Sequence, residues 1–131
     1  MHKQIIIQPY DSIISVGVGS ITSQLKVLKR KYGIVEYPNV DDTWLGLCNT
    51  QYCDKLQRNV FYIIISDRNK DKKKYWNTIT HEILHLTQAI LEHKDIPFQK
   101  GKANEPYTYL MGHIMGELFE FFEKEFNKIN K

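Results

Sequence analysis

The chain has 131 residues, 42% of them hydrophobic and 25% charged, the size and balance of one soluble globular domain with a real core. No apolar run approaches the roughly 18 residues of a membrane span, and Ile5-Ile6-Ile7 is too short for a secretory signal, so a cytoplasmic location with no membrane partner is expected. A formal net charge of +3 is too small to argue by itself for nucleic acid.

Residues 4–8 are rich in β-formers and predict a short first strand. Residues 11–19, β-branched residues between two glycines, carry no clear period. Ser20 is a natural cap for a helix running to about Tyr32, with Ile21, Leu25 and Leu28 on one face and Gly33 at the stop. Pro38 to Asp42 reads as a turn, and Thr43 to Cys48 as a strand. Val60 to Ser66 is the strongest strand in the chain, and the polar residues 49–59 predict its connection to the strand before it. Cys48 and Cys53 are separated by four residues, which is not the spacing of a zinc knuckle or redox pair. Without an export signal they are expected to be free thiols.

A basic run, Arg68-Asn69-Lys70-Asp71-Lys72-Lys73-Lys74, leads into a helix over about residues 72–93. It reads either as a solvated helix start or as a patch facing phosphates. Within that helix lies His81-Glu82-Ile83-Leu84-His85. Positions i and i+4 share a helix face. Taking His81 as zero, His85 falls at about 40° and Gln88 at about −20°, while Trp76, Ile79, Ile83, Leu86 and Ile90 fall on the opposite side as a buried stripe. Two imidazoles so placed can chelate one Zn²⁺, and the intervening carboxylate can take a proton from a water beside it. The pentapeptide arises by chance in about one shuffled chain in a hundred, and two surface histidines on an ordinary helix are the plain alternative.

A catalytic zinc site needs a third protein ligand. Glu92, His93, Asp95, Glu105, His113 and Glu117 all follow the pair. Ile96-Pro97 ends the helix, Gly101 marks a turn, and Asn104-Glu105-Pro106 opens a last helix over about residues 104–127, with Asn104 as N-cap and Pro106 in the first turn. Glu105 is the best placed of the candidates. From it, Tyr109 and His113 lie at i+4 and i+8 on one side of that helix, able to donate to an oxyanion or to support a ligand. Ile114, Leu118, Phe121, Phe122, Phe126 and Ile129 form its apolar band, Glu117, Glu120, Glu123, Lys124 and Glu125 its solvent face, and Gly112 and Gly116 a place where another helix can come close.

The pattern of H-E-x-x-H, nineteen residues, then a glutamate preceded by asparagine resembles the thermolysin-like gluzincins, over about 25 residues. The resemblance implies His81, His85 and Glu105 as zinc ligands and Glu82 as general base. The aspartate that the family carries four residues after the third ligand is Tyr109 here. The chain lacks thermolysin's large flanking domains and looks more like the minimal zincin core of small bacterial and phage proteins.

The expected fold is α+β, a single zincin-like domain over residues 1–131, with a short twisted mixed sheet packed on helices in the order β-α-β-β-α-α, and an active-site helix followed by a ligand helix. In the family an edge strand beside the metal receives an extended peptide, and Trp44 to Cys48 or its neighbour is the candidate. The expected function is a zinc-dependent peptidase acting on a peptide or protein. Two alternatives stand beside it: a non-catalytic zinc-stabilised binding or phage accessory module, and a DNA-associated protease using residues 68–74.

Overall fold

The run Ser-Ile-Ile-Ser-Val-Gly-Val over residues 12–18 has no period because all seven residues are buried, so both faces of its strand are covered. The structure is a computed structural model and describes residues 2–7, 12–34, 40–99 and 104–131. Four strands, β1 (His2–Ile7), β2 (Ser12–Gly19), β3 (Gly46–Cys53) and β4 (Arg58–Ser66), form one sheet in the order β1-β2-β4-β3. β2 and β4 pair in parallel at the centre, and β1 and β3 are antiparallel edges. The helices are α1 (Ile21–Tyr32), α2 (Lys72–His93) and α3 (Glu105–Ile129). The protein is therefore α+β with a mixed sheet.

The central strands divide their side chains by parity. Ile14, Val16 and Val18 of β2, with Phe61, Ile63 and Ile65 of β4, face one core with α2 and α3. Ile13, Val60, Tyr62 and Ile64 face a second core with Ile21, Leu25, Leu28 and Tyr32 of α1. Helices cover both faces, giving three layers.

Two strand expectations change. The ambiguous stretch before α1 is β2, so the order is β-β-α-β-β-α-α. β3 starts at Gly46 and continues through Asn49, Thr50 and Gln51 to Cys53, where a connection was expected. These residues read as a loop because an edge strand is half solvated and tolerates polar side chains. The hairpin turns over residues 54–57, with Gln57 left-handed at φ 55°.

The helices keep close to their expected limits because their signals are local. Ser20 Oγ accepts from Ser23 N, and Gly33 ends α1 at φ 71°. Asp71 caps α2 by accepting from Lys74 N. At α3 the position was right and the chemistry was not: Asn104 stands at the N-cap, but its side chain accepts from Gln99 N at 2.9 Å and donates to Gln99 O at 3.2 Å. α2 and α3 pack antiparallel. Tyr75 Oη donates to Phe122 O at 2.7 Å, Trp76 stacks on Phe119 with centroids 5.4 Å apart, and Tyr107 Oη donates to Ile96 O at 3.0 Å. Glu125, expected in solvent, is buried and pairs with Lys128 at 3.3 Å. Among the described residues nothing lies within 4 Å of where a Cβ on Gly112 or Gly116 would stand, so none of the described helices uses them for close approach. Among the described residues no helix is long and apolar enough to cross a membrane. Of the turn expected over Pro38 to Asp42, residues 40–42 are described, with Asp42 in a turn; Pro38 and the turn at Gly101 lie outside the described residues.

Candidate metal centre

α2 buries Ile79, Ile83, Leu86 and Ile90 completely, which leaves His81 and His85 on its exposed side. Their Nε2 atoms lie 3.2 Å apart with the ring planes at 79°. Two ligands bound to one tetrahedral zinc at 2.0–2.1 Å stand about 3.3–3.4 Å apart. The pair thus fits two corners of a zinc tetrahedron.

Glu82, one residue on, turns towards the sheet and is buried, with Oε1 3.9 Å from His81 Nε2. Burial raises its proton affinity above the usual carboxylate range, opposed by His81 and His85. The wall beside it is the edge strand β3. A Cβ on Gly46 would stand 2.9 Å from Thr78 Cγ2 and 3.0 Å from Glu82 Cγ, so only glycine lets α2 lie this close. Cys48 faces the same side of β3, and burial together with the Glu82 carboxylate pushes its thiol up to about 12. At neutral pH it is a protonated thiol rather than a reactive thiolate. Cys53 is also free, on the opposite face, donating to Tyr32 O at 3.2 Å.

One further residue sets the relation of α2 to β3. Asn69 is buried; its Nδ2 donates to Leu45 O at 2.9 Å and Ser66 O at 2.7 Å, and its Oδ1 accepts from Thr78 Oγ1 at 3.0 Å. It ties the ends of two strands to the first turns of the helix that carries the histidines. Sequence reading missed both Asn69 and Gly46. Gly46 had a faint signal, a lone glycine inside an apolar run; Asn69 was hidden in the basic segment. Within that segment Asn69 is internal, Asp71 caps α2 and Lys72 pairs with Glu123 at 3.8 Å, while Arg68, Lys70, Lys72, Lys73 and Lys74 are exposed.

The expected third ligand is not at the pair. Among the described residues no three His, Cys, Asp or Glu side chains are gathered to hold a metal ion. The reason lies in the packing of α3. Tyr107, two residues past Glu105, bonds to Ile96 beyond the end of α2. Eight residues of helix, about 12 Å at 1.5 Å each, separate His85 from the last residue of α2. Trp76, which seats α3, lies roughly 140° around α2 from His81. Glu105 is exposed and stays away from both imidazoles. Tyr109 is 76% exposed, and His113, also exposed, pairs with Glu117 at 3.9 Å. Among the described residues neither Tyr109 nor His113 makes a hydrogen bond, ion pair or ring contact with His81 or His85. His93 stacks edge-on against Phe61 at 5.4 Å.

What the structure brings together is therefore His81, His85 and Glu82 beside an edge strand, the imidazoles exposed and the carboxylate buried. No family model, curated protein or solved structure matches the chain.

Proposed function

We propose that this protein is a metal-dependent hydrolase of peptide bonds, in which His81 and His85 hold a zinc ion and Glu82 is the general base. The observation that carries the reading is the 3.2 Å separation of the two Nε2 atoms, a distance that suits a shared ion. Such an ion supplies Lewis acidity and brings the pKa of a water it holds to about 7. Glu82 contributes a carboxylate with raised proton affinity 3.9 Å from His81 Nε2, suited to taking the proton of the attacking water and passing it to the leaving amine. β3 is an edge strand of the sheet among the described residues, and its outer side offers main-chain groups to an extended peptide beside that carboxylate. In this reading His81 and His85 are the two protein side chains that would hold the ion.

A pair of protein ligands rather than three also favours a second reading, a zinc-dependent peptide-binding module without turnover. One experiment separates them. Metal content is measured by mass spectrometry for wild type, His81→Ala, His85→Ala, Glu82→Gln and Glu105→Ala, together with cleavage of a fluorogenic peptide library. The hydrolase reading expects one zinc per chain in wild type, Glu82→Gln and Glu105→Ala, and loss of zinc in both histidine variants. It expects cleavage by wild type and none by Glu82→Gln. Equal zinc in wild type and both histidine variants would refute the site, and bound zinc with peptide binding but no cleavage would leave the module.

A further inference from the structure

α3 carries a motif that the described helices leave unused. Gly112 and Gly116 lie four residues apart inside a 25-residue helix, exposed, with nothing among the described residues within 4 Å of where a Cβ would stand. Glycine weakens a helix interior relative to alanine through backbone entropy, and the surroundings described here refuse no side chain at either position. Tyr109, 76% exposed, and Phe119, 52% exposed, flank the two glycines. At 100° per residue the four residues fall within an arc of about 80°, over about 15 Å of helix. The face is a strip of bare backbone between two aromatic rings, open to solvent. Its border is acidic: residues 105–123 hold Glu105, Glu117, Glu120 and Glu123 and no lysine or arginine. His113 lies 3.9 Å from Glu117 and Lys72 lies 3.8 Å from Glu123, while Glu105 and Glu120 are exposed.

Charge selects what fits this strip. A second α3 would set four glutamates against four. The complement is α1, twelve residues and about 18 Å long. Lys26, Lys29, Arg30 and Lys31 are all exposed, and α1 contains no acidic residue. Asp42 bonds to Thr22 at its start, and Asp54 shares a recess with Lys29 and Arg30, but Lys55 shares that recess too, so the second half of α1 stays basic. α1 packs on one face of the sheet and α3 on the other, so the α1 that reaches this strip belongs to another molecule. We propose that the Gly112–Gly116 face of α3 receives α1 of a second copy of this chain. The two faces differ, and each molecule keeps one of each, so the contact runs head to tail. Because they point to opposite sides, two copies cannot satisfy both, and assembly continues into a chain or a larger ring. Exposed ion pairs add little each; they choose partner and direction, while the rings and the bare backbone supply close contact. One helix from each side makes a small interface, so the dissociation constant is on the order of 10–100 μM. None of His81, Glu82 and His85 takes part, and the inference stands independently of the hydrolase reading.

The test is sedimentation velocity of the full chain from about 1 to about 500 μM, a range that brackets that constant. The average mass of wild type is expected to rise past the dimer with concentration and to fall back with added salt. Lys26→Glu with Arg30→Glu spoils α1, and Gly112→Leu with Gly116→Leu fills the strip on α3. Leucine is the better helix former, so the second variant is expected to keep or raise its thermal midpoint. Each variant is expected to weaken association by about 10-fold or more. An equal mixture of the two holds one intact α1 and one intact α3, and is expected to form a dimer that grows no further. Wild type that stays monomeric over the whole range overturns the proposal, as does a dimer that stops there. Growth that survives in the folded α1 variant but not in the α3 variant assigns the strip to another basic segment and removes α1. Growth that survives in the α3 variant, or a mixture without dimer, removes the face itself.

Discussion

On the α1 side of the sheet, polar groups answer one another. His2 bonds to Ser15, the Tyr32 hydroxyl donates to Gln4, and Cys53 donates to Tyr32 O at 3.2 Å. On the α2 side the core is almost wholly apolar, and the polar groups stand at its rim. There Glu82 is buried yet held 3.9 Å from His81 Nε2, beyond hydrogen-bond range, and the two imidazoles face each other in solvent. Both sides bury apolar area and pair polar groups inside, Asn69 and Tyr75 among them on the α2 side; they differ at the rim, where the Glu82 carboxylate and the two imidazoles face one another. Buried polar groups ordinarily find partners, and the Glu82 carboxylate faces the His81 imidazole at 3.9 Å rather than a closer hydrogen-bond donor. Among the described residues the α1 side has one exception, Gln24, whose Oε1 is buried without a partner.

Breaking the apolar core of the α2 side has the largest expected effect. Phe122 is 1% exposed and touches the rings of Tyr75 and Trp76. Phe122→Ala is expected to cost about 3–5 kcal/mol, measured by urea unfolding. Next comes the rim. Gly46→Ala forces Thr78 and Glu82 away from β3, with an expected cost of about 1–3 kcal/mol and loss of peptide cleavage while zinc content is retained. Preserved cleavage in a folded Gly46→Ala would separate the position of Glu82 from its role.

The paired side is sharpened by pH. Burial, with Lys31 adding to it, lowers His2 from 6.5 to about 4. A histidine depressed in the folded state favours the neutral form, so its contribution is present above 6.5 and lost as pH falls towards 4. The unfolding free energy of wild type is expected to fall across that window more steeply than that of His2→Gln, as followed by urea titration at several pH values. Equal slopes would remove His2 from the balance. The smallest effect belongs to the exception: Gln24→Met deletes an orphaned acceptor and is expected to stabilise by about 1 kcal/mol, seen as a raised midpoint in urea.

Legibility followed the range of each signal. Ser20, Gly33 and Asp71 act on backbone within a few residues, so α1 and α2 could be bounded by inspection. The stripe of Ile79, Ile83, Leu86 and Ile90 reported its own burial. β2 was hidden because cover on both faces erases alternation, and the second half of β3 because an edge strand is polar. The centre divided along the same line. The spacing of His81 and His85 is a property of one helix turn, whereas the distance to Glu105 is not.

The order of the residues by itself determined the helix limits, the buried stripe of α2 and the meeting of two imidazoles on its open face, because each depends on neighbours within about one turn. Only the tertiary structure decided where α3 lies. Contacts between residues tens of positions apart, Trp76 with Phe119 and Tyr75 with Phe122, set it antiparallel and carried Glu105 to the far end of α2. The same long-range packing placed Gly46 under Glu82 and set α1 and α3 on opposite faces of the sheet. Burial of apolar surface chooses such arrangements, and it acts on the whole chain at once.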